Sequence, residues 1–144
     1  MSDREHLFNV YAPADEVFVR GEGVWLYTDT GARYLDFIAG IAVNALGHAH
    51  PKLNAALAEQ AGKLWHLSNM FRIQGQEELS QLYASSTFAD VVFFTNSGTE
   101  AIECAVKMAR KHFHHNGQPE RNRIIAFEGS FHGRTLLALH ATHN

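Results

Sequence analysis

The sequence predicts an α/β protein in which a small antiparallel meander precedes the start of a mostly parallel sheet. Two short apolar runs, at residues 91–94 (VVFF) and 124–127 (IIAF), are separated by a long segment with helical spacing. Three strand-like runs separated by turn residues occupy residues 17–37, and these predict the meander. Because two buried strands joined by a helix form a parallel crossover unit, the C-terminal half is the α/β part.

The composition is that of a soluble globular protein. Apolar residues make up 46% of the 144 residues and charged residues make up 19%. The formal charge of −3 lacks the basic excess that is typical of nucleic-acid binding. No apolar run approaches the roughly 18 residues of a membrane span, and the polar first five residues are unlike a signal peptide. We therefore expect a cytoplasmic protein with no nucleic-acid or membrane partner.

The first half of the chain begins with an extended arm that reaches Pro13. Strands are predicted at residues 17–20, 24–27 and 33–37, with glycine-containing turns between them. A small, apolar segment with two glycines follows and ends just before Pro51. This proline fits the first turn of a helix that runs to about Trp65, and a second helix is predicted over about residues 76–86.

The strand-turn-helix at residues 91–108 carries the strongest local signal. Ser97 and Glu100 have the spacing of a capping box, which predicts that a helix begins there. The first N–H groups and the positive end of the helix dipole favour an anion. Gly98 permits close approach of a ligand to the backbone, and the hydroxyl of Thr99 supplies a donor. On these residues alone, a structural helix cap remains the simpler interpretation.

A second ligand loop is predicted after the run at residues 124–127. Residues 128–135 follow that strand, where open α/β sheets place their ligand loops. The chain then starts another helix, at residue 136, which stops without a terminator. A sheet of two parallel strands leaves both edges uncovered, so we expect the chain to be the front part of a larger protein.

Histidine and cysteine side chains give weaker indications of a site. His48 and His50 are spaced like a metal pair, but the remaining ligands are not found at a recognisable spacing, and no metal is expected. The histidines near the end of the long helix suit the negative end of its dipole. The single cysteine, Cys104, lies within the helical pattern, which favours a small packing residue over a nucleophile.

Four collinear segments resemble the class III pyridoxal-phosphate-dependent aminotransferases. These segments are residues 34–37 (YLDF), 40–48 (GIAVNALGH), 96–101 (NSGTEA) and 131–135 (FHGRT). The resemblance covers essentially the whole chain and implies the N-terminal part of the fold-type I pyridoxal-phosphate-dependent transferases. It implies that residues 1–50 form an N-terminal arm and small-domain meander. Residues 51–144 would begin the large cofactor-binding domain, which is incomplete.

The resemblance also implies roles for individual residues. In the family pattern, the backbone at Gly98 and Thr99 holds the phosphate of pyridoxal 5'-phosphate. Phe131 would stack on the pyridine ring, as an aromatic face does against a flat heterocycle. Arg134 would bind a substrate carboxylate through its planar fork of donors. The lysine that forms a Schiff base in this family lies beyond the position of Asn144, so no catalytic residue is expected in this chain.

The implied reaction is a transamination in arginine biosynthesis, carried out by a homodimer. An acylated ornithine would be the amino donor and 2-oxoglutarate the acceptor, with the acetyl compound favoured over the succinyl compound. Related ornithine and 4-aminobutyrate aminotransferases of class III remain alternatives. Without its lysine, the chain alone is expected to be inactive. Two other classes of function remain as alternatives to an enzyme. One is a noncatalytic folding or dimerisation fragment, and the other is a metal-binding module at His48 and His50.

Overall fold

The structure is a computed structural model that describes residues 6–142. Residues 1–5 and 143–144 lie outside the described part. Two expectations fall on them: that the first five residues are not a signal peptide, and that the last predicted helix reaches the end of the sequence. The chain forms two compact units, Met1–Phe71 and Arg72–Asn144. The boundary expected between residues 50 and 51 concerns the domains of a complete enzyme and stays a prediction.

In the first unit, a three-stranded antiparallel sheet confirms the predicted meander. Its strands, in order across the sheet, are β1 (Phe18–Glu22), β2 (Trp25–Thr28) and β3 (Arg33–Leu35). The guanidinium of Arg33 lies 4.1 Å from the centre of the Trp25 ring, and that of Arg20 lies 3.6 Å from the Tyr27 ring. Because an aromatic face attracts a cation, these pairs tie neighbouring strands together.

The segment after β3 contains a turn that the sequence did not predict. This turn, α1 (Ala39–Ala42), has left-handed backbone angles, with φ of 47° at Ala39, 63° at Gly40 and 62° at both Ile41 and Ala42. Left-handed angles are strained for residues other than glycine, and most of all for a β-branched residue such as Ile41. Contacts around the turn must therefore hold it in this shape.

The remaining elements are helices. They are α2 (Pro51–Ala61), α3 (Gln74–Ser86), α4 (Gly98–His115) and α5 (Leu136–Ala141). The helix predicted from Pro51 is confirmed but ends at Ala61, where Gly62 follows and the indole N–H of Trp65 donates to the Ala61 carbonyl at 2.7 Å. That bond satisfies a carbonyl that the helix end leaves open. Within residues 6–142, none of the helices has the length and apolar character needed to cross a membrane.

The two predicted parallel strands are not formed in the described residues. Neither residues 91–94 nor residues 124–127 are assigned to a strand, although the helix between them is present. The expectation of strands here was wrong because a strand exists only through hydrogen bonds to a neighbouring strand. An apolar run predicts that a segment suits a buried strand, but it does not supply that neighbour.

The described residues bury little apolar surface. Val106 of α4 and Ala138 of α5 are the buried apolar side chains among them, and these two helices pack together. Large apolar side chains of the second and third helices are exposed, among them Leu57 at 71% and Leu82 at 60%. The apolar faces of α2 and α3 are therefore formed but uncovered.

Candidate active site

The first turn of α4 is fixed by the predicted capping box. The hydroxyl of Ser97, in extended conformation at the N-cap, accepts from the N–H of Glu100 at 3.2 Å. The carboxylate of Glu100 in turn accepts from the N–H of Asn96 at 2.7 Å, one residue earlier than in the usual capping box. Both bonds stabilise the polar loop before the helix, so the direction of the first helical N–H groups is set.

Gly98 and Thr99 supply the N–H groups that the capping box does not use. They are the first two residues of α4, where N–H groups have no partner within the helix and carry the positive end of its dipole. A Cβ built on Gly98 meets nothing within 4 Å, so the backbone there is open to a ligand. These donors, with open space beside them, fit a phosphate group.

The loop between residue 127 and α5 is held on both sides of Phe131. The hydroxyl of Ser130 donates to the carbonyl of Phe127 at 2.6 Å. The N–H of His132 donates to the hydroxyl of Thr142 at 3.0 Å, at the end of α5. Phe131 itself is 64% exposed. The backbone around this ring is therefore fixed, while its aromatic face remains accessible.

Gly133 joins this loop to the first turn of α4. It is buried and has a φ of +124°, and a Cβ built on it would overlap Oγ1 of Thr99 and lie 2.8 Å from its Cβ. Only a residue without a side chain permits this approach. Two residues on, the hydroxyl of Thr135 donates to the carboxylate of Glu103 at 2.5 Å, which adds a second link to α4.

The structure thus brings the loop that carries the predicted residues Phe131 and Arg134 to the helix start that carries Gly98 and Thr99. Arg134 is exposed and lies between the two links to α4. Sequence reasoning missed Gly133 as the point of contact. The available signal was a glycine within the FHGRT segment, since glycine lets the backbone approach a neighbouring group closely.

Other candidate groups have partners of their own. Cys104 is half-buried, and its thiol lies 3.5 Å from the sulfur of Met108 on the same helix. His48 lies 2.7 Å from the carboxylate of Asp36. Across residues 6–142, no group of three or more His, Cys, Asp or Glu side chains is arranged to hold a metal ion.

The fold is that of the aminotransferases. The family model described as aminotransferase class-III matches residues 10–144, and the chain belongs to this family. Its curated relatives include acetylornithine aminotransferases of Agrobacterium fabrum, 58% identical over 94% of this chain, and of Rhodobacter capsulatus, 63% identical over 91%. A succinylornithine transaminase of Yersinia enterocolitica is 49% identical over 95%.

Solved structures give the same result for the fold. An N-acetylornithine aminotransferase of Stenotrophomonas maltophilia is 46% identical over 84% of the chain, with a TM-score of 0.78. The ornithine aminotransferase of Toxoplasma gondii, described with partial occupancy of pyridoxal phosphate, is 30% identical over 99%, with a TM-score of 0.91. The predicted fold class is therefore confirmed. The chain spans about a third of the length of these relatives, 33–34% of those compared by sequence or structure.

Proposed function

We propose that this chain is part of a pyridoxal-phosphate-dependent transaminase that moves the side-chain amino group of N2-acetylornithine to 2-oxoglutarate. The observation that carries the proposal is the packing of Gly133 against Thr99, which brings a loop with an accessible aromatic ring and an arginine to an anion-binding helix start. Family membership and the names of the most similar relatives support the same reaction.

Gly98 and Thr99 would bind the cofactor phosphate through their backbone N–H groups. A phosphate at this position meets the positive end of the 18-residue helix α4. The Glu100 carboxylate is held back against the N–H of Asn96 by its 2.7 Å hydrogen bond. When bound, pyridoxal phosphate supplies the electron sink that transamination requires.

Phe131 and Arg134 would complete the site on the loop side. The hydrogen bonds donated by the Ser130 hydroxyl and the His132 N–H fix the loop on either side of Phe131, so its ring can lie against a flat heterocycle at a small entropic cost. Arg134 would bind a carboxylate of the amino-acid or oxo-acid substrate in a bidentate way. The two residues therefore have separate tasks, one toward the cofactor and one toward the substrate.

The lysines of α4 are poorly placed to act on a cofactor bound at the start of that helix, and the other lysines belong to the first unit. Lys107 lies nine residues after Gly98, roughly 14 Å further along the helix axis, and Lys111 is a turn beyond it. Lys52 belongs to α2, and Lys63 pairs with Glu59 at 2.6 Å. We therefore expect no turnover from the 144-residue chain by itself, with the reactive lysine supplied elsewhere in the enzyme.

The acyl group on the substrate is the finer part of the proposal. The acetylornithine relatives are 58% and 63% identical, and the succinylornithine transaminase is 49% identical. These identities favour the acetyl compound, with succinylornithine as the second candidate. A cytoplasmic homodimer completes the proposal, and the soluble composition of the chain supports that location.

A chimera tests this function. Residues 10–144 would replace the matching third of the Rhodobacter capsulatus acetylornithine aminotransferase, and transamination would be assayed with acetylornithine and succinylornithine. We expect turnover, with a higher kcat/KM for acetylornithine. The substitution Gly98→Asp places a carboxylate against the phosphate, and like charges about 4 Å apart cost on the order of 4 kcal/mol near a protein surface. We therefore expect Gly98→Asp to lower kcat/KM by at least about a hundredfold.

The matched control is Gly75→Asp in the same chimera. Gly75 also lies in the first turn of a helix, α3, and a Cβ built on it meets nothing within 4 Å. It should leave activity near that of the unmodified chimera. A folded, inactive chimera would contradict the proposed reaction, and equal activity of the two aspartate variants would contradict the phosphate position.

A further inference from the structure

Asp36 connects β3 to the left-handed turn α1. Its Oδ1 accepts from the N–H groups of Ile38 at 3.0 Å and Ala39 at 2.8 Å. Its Oδ2 lies 2.7 Å from Nε2 of His48, and its side chain is only 9% exposed. One carboxylate therefore contacts both the first residues of the turn and a histidine that lies beyond it.

His48 is anchored to the meander by its backbone and its ring. Its N–H donates to the carbonyl of Gly23 at 2.7 Å, and its carbonyl accepts from the N–H of Gly23 at 2.9 Å. A Cβ built on Gly21 would lie 2.5 Å from the ring, so the imidazole occupies the space that this glycine leaves open. The position of Nε2 relative to the sheet is therefore fixed.

Side-chain packing does not explain the left-handed shape of α1. Ile38, Ile41 and Val43 are 71%, 88% and 79% exposed. The backbone bonds from the Ala42 N–H to the Ile38 carbonyl, 3.0 Å, and from the Asn44 N–H to the Ala39 carbonyl, 2.9 Å, close the turn but do not attach it to the sheet. Among the contacts of the described residues, the Asp36 carboxylate makes that attachment.

We propose that Asp36 and His48 form a latch that holds residues 39–42 in their left-handed conformation. His48, seated on the sheet, orients the carboxylate of Asp36, and Asp36 in turn fixes the N–H groups that start the turn. Both are positioning residues, and their role is independent of the transaminase function. The latch accounts for strained backbone angles in a segment whose side chains are exposed.

NMR spectroscopy of the 144-residue chain tests the latch with the substitution Asp36→Ala. The backbone ¹³C shifts of Ile41 and Ala42 report positive φ, and amide exchange at Ile38 and Ala39 reports their hydrogen bonds. We expect the positive-φ shifts to be lost and the exchange to become roughly tenfold faster or more, as for loss of bonds to a charged acceptor. Contacts between β1 and β2 should persist. Unchanged shifts at Ile41 and Ala42 would overturn the proposal.

Two further variants separate the latch from general unfolding. Glu22→Gln removes a carboxylate that pairs with Arg20 at 2.6 Å on the exposed face of the same sheet, and it should leave the turn unchanged. Asp36→Asn keeps an oxygen that can accept from Ile38 and Ala39, so the left-handed shifts should remain. If Asp36→Ala also unfolds the sheet, the Asp36→Asn variant becomes the test of the latch. Loss of the turn with an intact sheet in that variant would contradict the latch.

Discussion

At the scale of the residue, the ionisation of Asp36 makes the stability of the first unit depend on pH. The hydrogen bond with His48 lowers the pKa of the Asp36 carboxyl below its ordinary value, and the backbone N–H of Ala39 adds to this effect. Because the folded state favours the ionised carboxylate, Asp36 stabilises the meander at pH values above the ordinary pKa of about 3.9. That contribution is lost as the pH falls through the lowered pKa of the folded state.

We therefore predict that Asp36→Asn removes part of the acid sensitivity of the first unit. Urea unfolding would be followed by the fluorescence of Trp25 in a Trp65→Phe background, between about pH 2 and 6, which spans the ordinary aspartate pKa. The parent should lose stability toward low pH more steeply than the variant does. Asp29→Asn, in the turn between β2 and β3, is the control and should keep the parental slope. Parallel curves for parent and Asp36→Asn would contradict the assignment.

Gly133 is the residue on which the geometry of the proposed site depends most. Gly133→Ala puts a Cβ within 2.8 Å of the Cβ of Thr99 at a backbone angle of +124°, and such strain costs on the order of 1–3 kcal/mol. We predict that the loop separates from α4 and that amide exchange at residues 132–135 accelerates. Gly129→Ala is the control, because its φ is also positive, at +74°, but its Cβ meets nothing within 4 Å. Equal effects of the two variants would show that backbone strain alone is responsible.

At the scale of the element, the start of α4 depends on one side-chain cap. Ser97→Ala removes the acceptor for the N–H of Glu100, and losing such a cap costs about 0.5–2 kcal/mol. We predict faster amide exchange in the first turn of α4 and little change in its last turns. Ser80→Ala, which removes a hydroxyl within α3 that donates to the Glu77 carbonyl, should leave α4 unchanged. Unaltered exchange at Glu100 in Ser97→Ala would argue against the cap.

Local signals explain which elements the sequence could predict. The cap of α4 depends on Ser97 and Glu100, three residues apart, and was predicted with its exact start; the meander was predicted from its turns in the same way. The left-handed turn was missed because it depends on His48, which lies twelve positions from Asp36 along the chain. The prediction of strands at residues 91–94 and 124–127 was wrong because an apolar run does not encode the strand that would pair with it.

In the proposed site too, local features could be predicted from the sequence and distant contacts could not. Gly98 and Thr99 could be placed at a helix start from their neighbours, and the expected loop after residue 127 was found where predicted. The contact between Gly133 and Thr99 joins positions far apart in sequence, and no spacing rule predicts it. The assignment of Phe131 and Arg134 depended on resemblance to a family and stays a prediction.

At the scale of the whole molecule, the amount of exposed apolar surface sets the context for the site. The described residues include formed helices with uncovered apolar faces, and the relatives are about three times as long as this chain. Exposed apolar surface of this kind marks an interaction surface. The helix start that we propose for the cofactor phosphate is built from local bonds within one compact unit.

The most direct test of the central claim is a ³¹P NMR titration of the 144-residue chain with pyridoxal phosphate, beside its Gly98→Asp and Gly75→Asp variants. If Gly98 and Thr99 hold the cofactor phosphate, the chain and the Gly75→Asp variant should shift and broaden the phosphorus signal, and Gly98→Asp should leave it at the position of free cofactor. An identical response of all three proteins, or no response from the unmodified chain, would contradict a phosphate site at the start of α4.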